Sequence, residues 1–169
     1  MLGFLFRTLT ADTSRGVALF RGVTAKARER HWLVEGGVPD SIDGRFAVLA
    51  TVAALVIVRL QQLGQAGNAL SVALTERFIE VMESEHRELG LGDPTLGKTV
   101  RKLVGALSRR TELWRLADAG ERDWSEATRE SLYKGAAAEG LQHSAEALRT
   151  FRQSLQGASV EALEQGRLE

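Results

Sequence analysis

The sequence contains no cysteine. Disulfides, thiolate nucleophiles and thiolate metal sites are therefore excluded. Proline is nearly absent, with only Pro39 and Pro94 in 169 residues. Few positions thus forbid a helix, since proline removes a backbone donor and clashes with the preceding turn. Histidine occurs only at His31, His86 and His143. These lie far apart, in no metal-ligand spacing, and a serine nucleophile has no base visible beside it. Formal net charge is zero, so the overall field draws in neither nucleic acid nor anionic lipid. The longest apolar run, Ala47 to Leu60, is interrupted by Thr51 and Arg59. It falls short of the about 20 apolar residues that a membrane-spanning helix needs, and reads as a buried core helix.

Hydrophobic residues make up 44% and charged residues 26%, the balance of a globular chain. Alanine, leucine, glutamate and arginine are frequent, and these lose little entropy in a helix. A chain of this length buries about 70% of its unfolded surface and needs no metal or disulfide staple. The expectation is an all-α, single-domain helical bundle of about five to seven helices. Residues 1–12 form a separate N-terminal segment. Its positive charge, Arg7, follows Leu2, Phe4, Leu5 and Phe6, against the order of a signal peptide. It reads as docked on the core or, alternatively, as lying on a membrane surface. Residues 13–157 hold the helical domain, and residues 158–169 a short turn and a fraying tail.

The first helix is expected from about Thr13 to Trp32, stopped by Gly36 and Gly37. The decapeptide from Gly37 to Phe46 then opens the most apolar helix. Pro39 biases Val38 away from helical geometry. Asp40 is placed as N-cap and Asp43 in the first turn, where its charge suits the helix dipole. Phe46, Leu49, Val52, Ala53, Val56, Leu60 and Leu63 recur at helical spacing. Val48, Leu55 and Val58 make the opposite face apolar too, so this helix is central. After a turn at Gly64 to Asn68, an acidic helix runs from Ala69 to Glu88. Asp93 and Pro94 start a basic fourth helix. Charge complementarity between these two neighbours is the simplest reading of their opposite signs. Asp123 caps a fifth helix, Gly140 separates it from Leu141 to Leu155, and Ser159 caps a last short turn.

One stretch matches a catalytic motif by letter. Gly92-Asp93-Pro94-Thr95-Leu96-Gly97-Lys98-Thr99 has the spacing of a phosphate-binding loop. That loop needs a preceding buried strand and amides converging on phosphate. A charged helix precedes it here, so nucleotide binding is kept as an alternative.

Two blocks carry a family resemblance. Val34 to Phe46, reading VEGGVPDSIDGRF, and Leu89 to Leu103, reading LGLGDPTLGKTVRKL, resemble the ubiquinol–cytochrome c chaperone family. Ala54 to Leu60 resembles the apolar helix between those blocks, and the likeness spans roughly residues 30 to 116. It implies a helical, non-enzymatic assembly factor without cofactor or metal. Its partners would be newly made cytochrome b, or another apolar membrane client, and a small assembly protein. Nucleic acid would not be a partner. It implies a cytoplasmic protein in peripheral contact with the inner membrane. The client-binding surface would lie around Asp40, Asp43, Arg45, Phe46, Asp93, Lys98, Arg101 and Lys102. The chain departs from the family pattern after Phe46. Ala47 stands where aspartate is common, residues around Thr51-Val52 where histidine is usual, and Ala106 to Arg109 where an aromatic-glycine-arginine ending is expected. A helical adaptor unconnected with respiration is a further alternative.

Overall fold

The computed structural model describes residues 14–90 and 92–169. The N-terminal segment 1–12 and the expected helix start at Thr13 lie outside the described residues. Seven α-helices and no strand are found among those described. They are α1 (Arg15–Ala27), α2 (Ile42–Gln61), α3 (Gly64–Glu88), α4 (Asp93–Asp118), α5 (Trp124–Tyr133), α6 (Leu141–Gly157) and α7 (Val160–Glu164). The all-α bundle expected from composition is the observed fold.

Helix α2 is the hub. Its residues from Ala47 to Val58 are buried on every side except at Leu49, as apolar residues around the whole circumference require. Helices α1, α3, α4, α5 and α6 all pack against it. Both Trp32 and Trp114 are fully buried near this core, and each indole N–H has an acceptor.

Several boundaries differ from the sequence reading. Helix α1 ends at Ala27, and Trp32 sits in a separate 3-10 turn, Arg30–Trp32. The reason is a bond that periodicity does not show: the Trp32 indole donates to the Lys26 carbonyl at 2.9 Å, so the chain folds back on the helix end. Helix α3 begins at Gly64 instead of Ala69. Gly64 takes φ +73°, a left-handed value that glycine adopts freely, and one sharp bend links α2 to α3. Ser41, not Asp40, caps α2: its side chain accepts from the Gly44 amide at 3.0 Å. Likewise Gly92 is the N-cap of α4, which places Asp93 and Pro94 inside its first turn. Among the described residues no ion pair joins acidic α3 to basic α4. Arg77 turns to Glu80 and Arg115 to Glu112, each within its own helix.

The caps at Asp123 and Ser159 are as expected, accepting from the amides of Glu126 and Ala162. The final residues pack against the domain. Leu163 and Leu168 are buried, and the Gly166 backbone lies so close to α1 that a Cβ on Gly22 would meet the Gly166 oxygen at 2.6 Å.

Candidate functional site

The segment from Val34 to Phe46 is held from below by the C-terminal helices. Gly37 adopts φ +64° and turns the chain away from the 3-10 segment. The Tyr133 hydroxyl donates to the Gly36 carbonyl at 2.6 Å and bonds the Ser144 hydroxyl at 2.7 Å. Gly140, at the start of α6, packs directly on the Gly36 backbone, with no room for a side chain. The turn is thus set by residues about 100 positions away in sequence.

At the top of α2 the charged candidates separate into pairs. Arg45 Nε donates to Asp40 Oδ1 at 2.7 Å, fully at the surface. This hydrogen bond, and then the charge of Arg45, hold the Asp40 carboxyl below its usual value. Lys134 donates to Asp43 Oδ2 at 3.0 Å. That bond and the Lys134 charge lower the Asp43 carboxyl, and the positive charge of Lys102 on α4 adds to the effect. Asp43 and Lys134 therefore form an exposed pair between α2 and the end of α5. Exposed pairs of this kind contribute about 0–1 kcal/mol each, so their stabilising role is small.

Beside this pair Phe46 is half-buried. Its ring lies 6.0 Å from that of Phe78 on α3, and the Arg110 guanidinium stands 5.8 Å from its centroid. Arg110 has no carboxylate partner among the described residues. It donates from Nη2 to the Ser131 carbonyl at 3.0 Å and from Nη1 to the Ala106 carbonyl at 3.2 Å. Burial, with the charge of Arg109, pushes its pKa down, although the group stays cationic. One turn before Phe46, Ile42 is 74% exposed. Val34, at the start of the same segment, is 62% exposed. Ile42, Phe46 and Leu49 follow one helical face, and none of them is fully buried. Leu103 on α4 is also only partly buried against the core.

The structure therefore brings Asp40 to Arg45 and Phe46 to the α3 and α4 helices, while Asp43 pairs with Lys134, outside the expected set. Asp93, Lys98 and Arg101 do not join these pairs. They are exposed along α4, and Asp93 is about 13 Å along the helix axis from Lys102. Ile42 and Val34 were not among the expected site residues. The signal for Ile42 was present: it precedes Phe46 by four, so the apolar stripe continues one turn beyond the core.

The departures after Phe46 also have a structural account. Thr51 is fully buried, and its hydroxyl bonds that of Ser131 at 2.6 Å. The Trp114 indole donates to the same Ser131 hydroxyl at 3.1 Å. A closed polar knot thus occupies the interior at that level of α2. Ala47, directly after Phe46, is buried as well.

The phosphate-loop letters form no loop. Gly92 is a helix cap, Asp93 to Thr99 are helical turns, and the Leu96 amide is taken by the Gly92 carbonyl. Amides engaged in a helix cannot converge on a phosphate, so that alternative is corrected. The dispersed histidines need a correction as well. His31 Nδ1 and His143 Nε2 are 3.0 Å apart, and His31 Nε2 lies 2.9 Å from Glu29 Oε2. This chain of three groups links the 3-10 turn to α6. Among the described residues no set of three or more ligand-type side chains is arranged to hold a metal.

Fold and site together define a helical scaffold with a half-exposed apolar strip edged by charge, the architecture of a binding protein. The chain belongs to the ubiquinol–cytochrome C chaperone family, whose model matches residues 34–169. That places it among chaperones and not enzymes. The match begins at the first quoted block and runs to the end, so it includes α5 to α7, beyond the stretch that carried the resemblance. No curated protein matches the chain. Among solved structures it is similar to the crystal structure of the Cbp3 homolog from Brucella abortus. The identity is 26%, the TM-score 0.74, and the alignment covers 98% of this chain and 94% of that one.

Proposed function

We propose that this protein captures newly made cytochrome b and holds it for assembly into the ubiquinol–cytochrome c reductase complex. Family membership supplies the class of activity. The observation that carries the site is the strip of exposed Ile42 and half-buried Phe46 beside the Asp40–Arg45 and Asp43–Lys134 pairs. An apolar patch rimmed by charge suits a client with an apolar helix and a charged end. Asp93, Lys98 and Arg101 extend the rim along α4. A small partner protein, as the family resemblance implies, completes the reading.

No helix among the described residues is long and apolar enough to cross a membrane. As the family resemblance implies, the protein would meet its client at the surface of the inner membrane. The test is affinity capture from detergent-solubilised membranes, with cytochrome b detected in the eluate. Arg45→Glu combined with Arg101→Glu is expected to weaken capture while helical content and thermal midpoint are unchanged. Undiminished capture by that variant would remove these residues from the client surface.

A further inference from the structure

Helices α1 and α3 cross where Gly16 meets Ala73. A Cβ at Gly16 would stand 2.5 Å from the Ala73 carbonyl oxygen and 3.4 Å from Arg77 Cβ. Beside this close crossing the two helices leave an open cavity of about 310 Å³. Its walls include Val17, Phe20, Arg21, Thr24, Arg28 and Arg77, and no acidic residue among those described. Arg21 and Arg28 have no carboxylate partner among the described residues. Arg77 gives Nη1 to Glu80 at 2.8 Å, while its Nε is buried with no hydrogen-bond partner. A buried donor without an acceptor is costly, and three arginines line the cavity with no carboxylate beside them among the described residues.

Guanidinium groups match phosphate oxygens in geometry as well as charge. The volume lies at the lower end of ligand sites, about 300–1,000 Å³, and suits a headgroup better than a whole lipid. Val17 and Phe20 add an apolar wall that a bare phosphate ion would not use, and the cavity is open on its outer side. We propose that it binds the phosphate headgroup of an anionic phospholipid at a membrane surface. The site shares no residue with the Asp40 to Lys102 face and stands independently of the client reading.

The test is flotation of the full chain with vesicles of phosphatidylcholine alone or mixed with phosphatidylglycerol. Binding is expected only to the mixed vesicles. Arg21→Glu with Arg28→Glu should weaken it by about thirtyfold or more, each arginine near the surface being worth about a factor of five. Arg122→Glu with Arg129→Glu makes the same change in net charge before and within α5 and should leave binding in place. A parallel calorimetric titration with soluble glycerol phosphate separates the two sources of phosphate. Three results would overturn the proposal: no preference for phosphatidylglycerol, equal losses in both charge-reversed variants, or saturable glycerol phosphate binding without vesicle binding.

Discussion

Replacing Ser131 by alanine tests whether the buried polar knot sets the geometry of the site. Ser131 Oγ serves two partners, Thr51 Oγ1 at 2.6 Å and Trp114 Nε1 at 3.1 Å. Thr51 and Trp114 are fully shielded from solvent. The indole nitrogen is a donor only, and alanine leaves it with nothing to donate to. An orphaned buried donor costs about 1–3 kcal/mol. Thr51 loses its partner too, but a helical threonine can turn its hydroxyl to a carbonyl of the preceding turn, which limits that part to about 1 kcal/mol. Ser131→Ala should therefore cost about 2–4 kcal/mol in total. Thr51→Val keeps the Ser131–Trp114 bond and should cost about 0.5–1.5 kcal/mol. Urea denaturation followed by circular dichroism measures both, and each kcal/mol moves the thermal midpoint by about 2–4 °C at this chain length. The double variant should be no worse than Ser131→Ala, because valine removes the hydroxyl that the first change stranded. The functional link is Arg110, which grips the Ser131 carbonyl and overlies Phe46. If Ser131→Ala costs no more than Thr51→Val, the knot does not hold this part of the core.

Three further outcomes are expected. Gly22→Ala should lower stability: a Cβ would sit 2.6 Å from the Gly166 oxygen, and overpacking of about 1–3 kcal/mol outweighs a propensity gain of up to about 1 kcal/mol. A raised thermal midpoint would mean that the C-terminal tail does not press on α1. Lys134→Ala should raise the Asp43 titration midpoint, read by carbon NMR, back towards 3.8. Because the folded value is depressed, the Asp43 contribution is present above the unfolded pKa and is lost as pH falls through the folded one; a midpoint that stays put would break the Lys134 assignment. Titration of the protein with ATP and magnesium should give no saturable binding that depends on Lys98, since residues 93 to 99 are helical turns. Binding abolished by Lys98→Ala would reverse that conclusion.

Much of the helix order was legible because apolar spacing and caps are local signals. The central place of α2 followed from apolar residues on all its faces, and the caps at Asp123 and Ser159 from their side chains. The errors fell where a distant or neighbouring group competes. Asp40 reads as a cap in isolation, yet Arg45 takes its carboxylate and Ser41 takes the amide. Trp32 reads as the last turn of α1, yet its indole bends the chain back onto the Lys26 carbonyl. The site was half legible. Asp40, Asp43 and Arg45 lie in a quoted block and Ile42 continues the Phe46 stripe, but Lys134 and Arg110 reach the site only through the packing of distant helices. The cavity between α1 and α3 left no local trace at all.

The sequence by itself determined an all-helical chain, its most buried helix and the family that its two blocks resemble. Those depend on spacing and on short-range steric preferences, which neighbouring residues decide. Only the tertiary structure showed what the blocks rest on. Tyr133 and Ser144 pin Gly36, Lys134 pairs with Asp43, and His31 meets His143. Each joins residues many positions apart, and such pairings follow from how the helices pack around α2. No periodicity along the chain encodes that packing.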